Sequence, residues 1–90
     1  MRVIVPTTRF KKDYKREIKT DAGITALVAQ VVTWLAQDEK LPYRFMDHNL
    51  QGAWKGYREC HVKPDLLLIY QKTDAGELHL IRLGSHSELF

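Results

Sequence analysis

The sequence predicts an α+β fold in which a hairpin of two helices packs on a small antiparallel sheet, in the order β-α-α-β-β-β. Apolar residues in the first half recur every three or four positions, as they do in amphipathic helices. The second half contains three short apolar runs separated by proline and glycine turns, as in a set of strands. A chain of 90 residues has the size of one domain, so we expect a single domain over residues 1–90.

The first strand and the first helix are predicted near the amino terminus. Arg2–Val5 alternates weakly and stops at Pro6, which suits a short strand. Thr7 or Thr8 can then accept a hydrogen bond from the first turn of a helix. The apolar stripe of this helix has a four-residue period and consists of Phe10, Tyr14 and Ile18. The rest of the helix surface is rich in lysine and arginine.

The second helix has the strongest periodic pattern in the chain. Thr20 or Asp21 can cap it after a short break, and Leu41-Pro42 is expected to mark its end. Its apolar positions are Ile24, Leu27, Val28, Val31, Trp34 and Leu35. Because the break between the two helices is short, we expect them to form an antiparallel hairpin.

Three strands are expected after the helices, over Trp54–Val62, Leu66–Gln71 and Glu77–Leu83. Lys63-Pro64 separates the first two, and a turn that contains Gly76 separates the last two. The middle run is apolar at consecutive positions, which is typical of a strand buried on both faces. The close spacing of the three strands favours an antiparallel meander.

Composition and charge narrow the class of protein. Cys60 is the only cysteine, which excludes an intrachain disulfide and fits a reducing compartment. The chain shows neither a secretory signal nor an apolar run long enough to span a bilayer, so we expect a cytoplasmic protein with no membrane partner. Residues 1–20 contain seven basic and two acidic residues. Such an excess attracts phosphates, although it also suits a solvated helix face.

Four polar residues are candidates for proton transfer: His48, His61, Asp65 and His86. Histidine can give or take a proton near neutral pH. His61 lies near the end of one predicted strand, Asp65 starts the next across a tight turn, and His86 follows the last strand. In a meander these three strand ends meet at one end of the sheet, so we expect the three residues to lie together. His48 is expected in a polar loop before the sheet.

Such a set could cleave RNA without a metal. The reaction needs a base for the 2′-hydroxyl, a cation for the charged phosphorane and an acid for the leaving 5′-oxygen. Arg58 and Arg82 could supply the cation, and Trp54, Tyr57 and Phe90 could stack on unpaired bases. Simpler interpretations exist for each residue type. A single histidine is often structural, the Trp and Tyr could be core residues, and the arginines could pair with carboxylates.

The sequence lacks the Cys-x-x-Cys and His-Glu-x-x-His spacings that mark common zinc sites. A zinc site assembled from three histidines and an aspartate is conceivable, but its ligands would come from scattered loops. We therefore predict no metal and no cofactor.

Two segments of the chain resemble the YafQ toxins of the RelE superfamily. The first is Asp47–Asp65, with the sequence DHNLQGAWKGYRECHVKPD, and it continues to Leu68-Ile69-Tyr70. The second is the tail Arg82–Phe90, with the sequence RLGSHSELF. The first half is similar to this family only in its layout of a strand, a basic helix and an amphipathic helix.

The resemblance implies a RelE-like fold and a role as the toxin of a type II toxin–antitoxin system. Such toxins are mRNA interferases that enter the ribosomal A site and cut the message there by 2′-hydroxyl attack, through a 2′,3′-cyclic product. The resemblance places the catalytic set on His48, His61, Asp65 and His86, with Phe90 shaping the site. Within this set we assign His86 as general acid, Asp65 or His48 as general base, and His61 as the phosphate ligand.

The resemblance also implies partners. An antitoxin of the ribbon-helix-helix, DinJ-like type would hold the toxin inactive and make any contact to operator DNA. The basic first helix, with Lys11, Lys12 and Lys15, is expected to contact RNA of the ribosome or this antitoxin. Some relatives carry a tryptophan directly after the aspartate, where this chain has Leu66. A stacking surface is therefore expected to be absent there.

Two other functions fit the same sequence. One is an RNase that cleaves free RNA and needs no ribosome. The other is a toxin-like binding module without enzymatic activity. The first alternative predicts cleavage of purified RNA, and the second predicts that removal of His86 leaves growth arrest unchanged.

Overall fold

A computed structural model describes all residues from Met1 to Phe90. It contains five strands and three helices in the order β1 (Val3–Pro6), α1 (Thr8–Thr20), α2 (Ile24–Ala36), β2 (His48–Asn49), β3 (Arg58–Lys63), β4 (Leu66–Lys72), β5 (Glu77–Gly84) and α3 (His86–Leu89). Two single 3₁₀ turns flank β2, over Tyr43–Phe45 and Gly52–Trp54. The predicted α+β class and the order of its main elements are confirmed.

The strands form one sheet in the order β1-β5-β4-β3-β2. The neighbours β5, β4, β3 and β2 are antiparallel, whereas β1 pairs with β5 in parallel. The expectation of a purely antiparallel sheet is therefore wrong. After β1 the chain passes through the two helices and then through β2, β3 and β4, and β5 finally runs beside β1 in the same direction.

The ends of the helices follow from short polar contacts. The Thr7 side chain accepts a hydrogen bond from the Phe10 amide and so caps α1. Asp21 does not cap α2 directly; its carboxylate accepts the Gly23 amide at 2.9 Å, and Gly23 occupies the cap position. Helix α2 ends at Ala36, five residues before the predicted Leu41-Pro42 boundary.

The main core lies between the helices and one face of the sheet. Seventeen buried residues form it, with Tyr14, Ile18 and Trp34 packed at its border. Both predicted helix stripes contribute, except that Leu27 is 41% exposed. Strand β4 is central, and Leu66–Tyr70 is buried throughout, as its continuous apolar run predicted.

The opposite face of the sheet carries a smaller apolar cluster. Leu67, Ile69 and Leu89 are buried there, and Leu50, Trp54, Tyr57 and Ile81 pack against them. Side chains of a strand alternate between faces. In β3, Cys60 and Val62 belong to the main core, so Glu59 and His61 face the side of the smaller cluster.

Two further boundaries differ from the predictions. The predicted strand Trp54–Val62 begins only at Arg58, because residues 52–54 form a 3₁₀ turn and Gly56 takes a positive φ of 97°. His48 does not lie in a loop but in the two-residue strand β2, opposite Glu59. The tail after β5 forms the short helix α3.

None of the helices has both the length and the apolar character required to cross a membrane.

Candidate active site

Three of the candidate residues meet at one end of the sheet, where β3 and β5 end and β4 begins, on the face of the smaller cluster. They are His61, Asp65 and His86. The rings of His61 and His86 lie 6.0 Å apart. Asp65 sits between β3 and β4, and its Oδ1 lies 3.8 Å from Nδ1 of His86 and accepts the His86 backbone amide at 3.3 Å. The structure therefore brings together the three residues that the strand ends predicted to converge.

Helix α3 fixes the position of His86. Ser85 caps the helix by accepting the Glu88 amide, and Glu88 accepts the Ser85 amide at 2.8 Å, which completes a capping box. Leu89 is 7% exposed and anchors the helix against Leu67 and Ile69. The backbone of His86 is therefore fixed by the helix, whereas its imidazole ring is exposed to solvent.

His48 contacts a different partner from the other two site histidines. Its Nε2 lies 3.1 Å from Oε2 of Glu59, and its Nδ1 lies 2.6 Å from the Met46 carbonyl. If His48 is neutral with its proton on Nδ1, it donates to Met46, and its contact with Glu59 is a hydrogen bond only if the Glu59 carboxyl carries a proton and donates it to Nε2. If His48 is an imidazolium, it donates to both Met46 and Glu59. Glu59 and His61 are two residues apart in β3, so His48 lies roughly 7 Å along the sheet from His61.

Glu59 is a site residue that sequence reasoning missed. It is 3% exposed, and its Oε1 has no hydrogen-bond partner. A buried carboxylate without full hydrogen bonding is costly, so its presence indicates a functional constraint. The alternation of β3 carried the signal: Glu59 shares the face of His61, and a carboxylate there could have been grouped with the histidines.

Aromatic rings lead away from His86 on one side. Phe90 lies 6.0 Å from the His86 ring and 6.0 Å from Trp54, and Trp54 lies 5.6 Å from Tyr57. Phe90 is 55% exposed, whereas Trp54 and Tyr57 are half-buried against the smaller cluster. Trp54 and Tyr57 therefore fit both of the predicted interpretations, since they support the cluster and still present part of their rings. Leu66 is buried in the main core and offers no stacking surface.

The two arginines predicted to bind RNA are engaged in structural contacts. Arg58 bonds the Tyr70 hydroxyl at 3.1 Å and Asn49 at 2.7 Å, and pairs with Asp47 at 3.1 Å. Tyr70 also donates a hydrogen bond to Asp47. Burial, followed by the hydrogen bond to Asp47, raises the pKa of Tyr70. The structural alternative considered for Arg58 is the one that the contacts support.

Arg82, the second arginine predicted to bind RNA, forms an ion pair with a buried carboxylate. Its side chain is 14% exposed and reaches toward α1, where it bonds Asp13 at 2.8 Å. Asp13 is 1% exposed and also accepts the Leu83 amide at 3.0 Å and Arg16 at 3.1 Å. Burial opposes ionisation of Asp13, but these hydrogen bonds outweigh it and lower its pKa. Nε and Nη2 of the Arg82 guanidinium are therefore engaged by Asp13, which is the carboxylate pairing considered as the structural alternative.

Arg16 connects this buried pair with the helix of His86. Besides Asp13, it contacts the Leu83 carbonyl at 3.1 Å and Glu88 at 3.3 Å. Gly84 makes room for it, because a Cβ there would lie 3.2 Å from the guanidinium. Helix α1 therefore braces both β5 and α3 from behind the site.

Lys11, Lys12 and Lys15 are exposed on α1, and none of them has a hydrogen bond or ion pair. Their side chains remain available to a charged partner. Helix α1 covers the main core, on the opposite face of the sheet from the histidines. The basic surface and the candidate active site are therefore separate features of the molecule.

A mixed five-stranded sheet with two long helices on one face is the fold of RelE-like toxins, as comparison with solved structures shows. The E. coli DinJ–YafQ complex contains a chain that superposes with a TM-score of 0.89 at 38% identity, covering 100% of this chain and 99% of that one. A metal-bound toxin from Helicobacter pylori superposes with a TM-score of 0.92 at 45% identity over 100% of both chains.

The particular family follows from the sequence. Residues 2–90 match the family described as "Bacterial toxin of type II toxin-antitoxin system, YafQ". The mRNA interferase toxin YafQ of Escherichia coli K12 is 39% identical over 82 residues, which cover 91% of this chain and 88% of that protein. The chain belongs to the YafQ family of type II toxins, and the resemblance seen in its two segments is confirmed.

Proposed function

We propose that this toxin is an mRNA interferase that cleaves the message on the ribosome by general acid–base catalysis. The observation that carries the proposal is the meeting of His61, Asp65 and His86 at one end of the sheet. The name of the E. coli relative supports the substrate, because that protein is an mRNA interferase. We further propose that the toxin acts in the cytoplasm, where it meets ribosomes and message.

The contacts favour a division of roles among the four residues. Asp65 lies beside Nδ1 of His86, so it can hold the imidazolium in one orientation and leave Nε2 to protonate the 5′-oxygen. His48 is then the general base for the 2′-hydroxyl through Nε2, because the Met46 carbonyl holds the proton on its Nδ1. Glu59, whose carboxylate lies beside Nε2, stabilises the imidazolium that forms and acts as the positioning residue. His61 lies between His48 and His86 and is placed to contact the scissile phosphate.

The reaction is balanced without a further reactant. His48 takes the proton of the 2′-hydroxyl, and the 2′-oxygen forms a bond to phosphorus. The bond from phosphorus to the 5′-oxygen breaks, and His86 gives its proton to that oxygen. The products are a 2′,3′-cyclic phosphate and a free 5′-hydroxyl. Phe90 and the exposed edge of Trp54 are placed to stack on a neighbouring base.

The H. pylori relative is metal-bound. In this chain, no group of three or more His, Cys, Asp or Glu side chains lies close enough to hold an ion. Cleavage measured with and without a chelator tests directly whether one is needed.

The partner proposed is a DinJ-like antitoxin, since the E. coli YafQ chain was solved in complex with DinJ. Contacts to operator DNA are proposed to come from that antitoxin. A complex of this kind would keep the toxin inactive until the antitoxin is removed.

The deciding experiment is cleavage of a defined message programmed on ribosomes, with wild type beside His86→Ala. A positioned acid contributes about 10²–10⁴-fold, so the substitution should reduce the cleavage rate by at least about a hundredfold. Purified RNA without ribosomes distinguishes the ribosome-independent RNase. Growth arrest that persists in His86→Ala, without any cleavage by folded wild type, would favour the non-enzymatic binding module.

A further inference from the structure

A cleft of about 540 Å³ opens beside His61 at the edge of β3. Strand β2 pairs only with Arg58 and Glu59, so the edge of β3 from His61 onward has no partner strand. The cleft lies along this open edge, lined by Arg44, Phe45, Met46, His61, Lys63 and other residues of the same two segments. It shares His61 with the candidate active site and none of the aromatic residues on the other side.

Arg44 gives the cleft an available positive charge. Its guanidinium stacks over the Phe45 ring, 4.7 Å from the centroid, and Phe45 is 7% exposed and fixed in the core. Arg44 has no hydrogen bond or carboxylate partner, unlike Arg58 and Arg82. Lys63 adds a second cation, partly neutralised by Asp21 at 3.0 Å. Such a held guanidinium with open donors matches a phosphate.

The cleft also has an apolar wall. Met46 is 56% exposed, and its backbone takes a left-handed φ of 49° at the end of the 3₁₀ turn that carries Arg44. The exposed thioether chain of Met46 lines the cleft together with Pro64, and a base can pack against this apolar surface. A single-stranded nucleotide has both a phosphate and an apolar base face, and the cleft offers a contact for each.

We propose that this cleft binds the nucleotide of the message adjacent to the cleavage position, with Arg44 on its phosphate. The inference rests on the proposed function. A message whose scissile phosphate lies between His61 and His86 must leave the site in two directions. One direction meets Phe90 and Trp54, and the other meets the cleft, because His61 lines both surfaces.

The test is a double-mutant cycle in which one change is made in the protein and the other in the message. The change in the protein is Arg44→Ala. The change in the message replaces one phosphate at a time, on either side of the cleavage position, by an uncharged methylphosphonate. The rate of cleavage is measured on programmed ribosomes. Each single change should slow cleavage by about tenfold or more, the cost of one charged hydrogen bond. At one phosphate position the two changes together should cost no more than either alone.

Arg9→Ala is the matched control, since Arg9 is an exposed arginine of α1 with no ion pair. Its effect should be additive with every methylphosphonate. Arg44→Lys keeps the charge and should restore part of the rate, while circular dichroism of each variant checks its fold. Additive effects of Arg44→Ala at all positions would overturn the subsite.

Two other outcomes also overturn it, for different reasons. If Arg44→Ala weakens binding of the antitoxin and leaves cleavage unchanged, the cleft belongs to a protein partner. If folded wild type cleaves no message, the proposed function fails and the subsite fails with it. A subsite failure alone leaves wild-type cleavage intact, so the two failures are distinguishable.

Discussion

At the scale of single residues, Glu59 and His48 form a side-chain pair across two neighbouring strands. Antiparallel pairing sets them opposite each other, and the 3.1 Å contact joins their side chains. The unpartnered Oε1 of Glu59 means that burial is not repaid by hydrogen bonds to that atom. The pair is therefore better explained by orientation of His48 than by stability.

Glu59→Gln tests this role, because it keeps the shape of the side chain and removes its charge. We expect cleavage at saturating toxin to slow by about tenfold or more, a part of the 10²–10⁴-fold that a positioned base contributes. The concentration of toxin for half-maximal cleavage should stay unchanged. Glu77→Gln is the control, since Glu77 makes the same kind of contact to His79, at 2.9 Å, outside the site.

The thermal stability of Glu59→Gln should be equal to or higher than that of wild type, because a buried charge is removed. A variant with full activity would show that Glu59 has no positioning role. A variant that is both inactive and unstable would show a structural role instead.

At the scale of single residues, the sequence predicted that three site residues meet, but it did not predict the buried residues that hold the site in place. His61, Asp65 and His86 lie at strand ends, and a meander fixes which ends meet. The alternation of β3 puts Glu59 on the face of His61, but the burial of Glu59, like that of Asp13, depends on what packs across it. The ion pair between Arg82 and Asp13 could not be predicted either, because the two residues are 69 positions apart in the chain.

At the scale of elements, one buried carboxylate joins α1 to β5. Asp13 receives Arg82, Arg16 and the Leu83 amide, and Arg16 extends the network to Glu88 on α3. Helix α1 thus shares one charged network with β5 and α3, which lie at the other end of the chain. The segment that carries His86 is held from behind by it.

This network predicts sensitivity to acid. Because the pKa of Asp13 is lowered in the folded state, its contribution to the free energy of unfolding is fully present above its unfolded pKa, about 4. That contribution is lost as the pH falls through the folded value. Asp13→Asn should destabilise the protein at pH 7 by about 3 kcal/mol, since Arg82 and Arg16 lose the charge of their buried partner. Urea unfolding between pH 3 and pH 7 measures both effects.

Asp38→Asn is the matched control for this measurement. Ion pairs with Arg2 and Lys72 lower the pKa of Asp38 to about 2, but the carboxylate is exposed to solvent. Its substitution should change stability far less than Asp13→Asn, because exposed pairs contribute little. Equal effects of the two variants would show that the Asp13 network does not hold the elements together.

Element types followed from the sequence better than element partners did. The periodic stripes of α1 and α2 and the apolar run of β4 are local patterns, so their secondary structure was predictable. The parallel pairing of β1 with β5 depends on contacts across more than seventy residues, for example Val3 with Glu77, and no local pattern specifies it. The 3₁₀ turn before β3 was read as strand because Trp54 and Tyr57 favour strands.

At the scale of the whole molecule, the candidate active site and the exposed lysines of α1 lie on different faces of the sheet. The histidines and the aromatic rings lie around one end of β3–β5, and the Arg44 cleft lies at the edge of β3. The sequence analysis expected the lysines to contact RNA of the ribosome or the antitoxin, and only the fold shows that their helix packs on the face opposite the histidines.

Charge reversal on α1 separates docking from chemistry. Lys11 and Lys15 lie one helical turn apart, and in Lys11→Glu/Lys15→Glu two phosphate contacts to ribosomal RNA would become repulsive. The toxin concentration for half-maximal cleavage on ribosomes should rise about tenfold or more at physiological salt, and the salt dependence should weaken by about one unit of slope per lost contact. The maximal rate should stay unchanged, because the site on the opposite face is intact.

The control is Lys40→Glu, compared with Lys11→Glu and Lys15→Glu alone, because it makes the same change in net charge at an exposed lysine outside α1. If all three single variants act equally, net charge alone governs docking. If the α1 pair weakens only the complex with the antitoxin, this helix serves that partner, and the ribosome must hold the toxin through the face that carries the histidines.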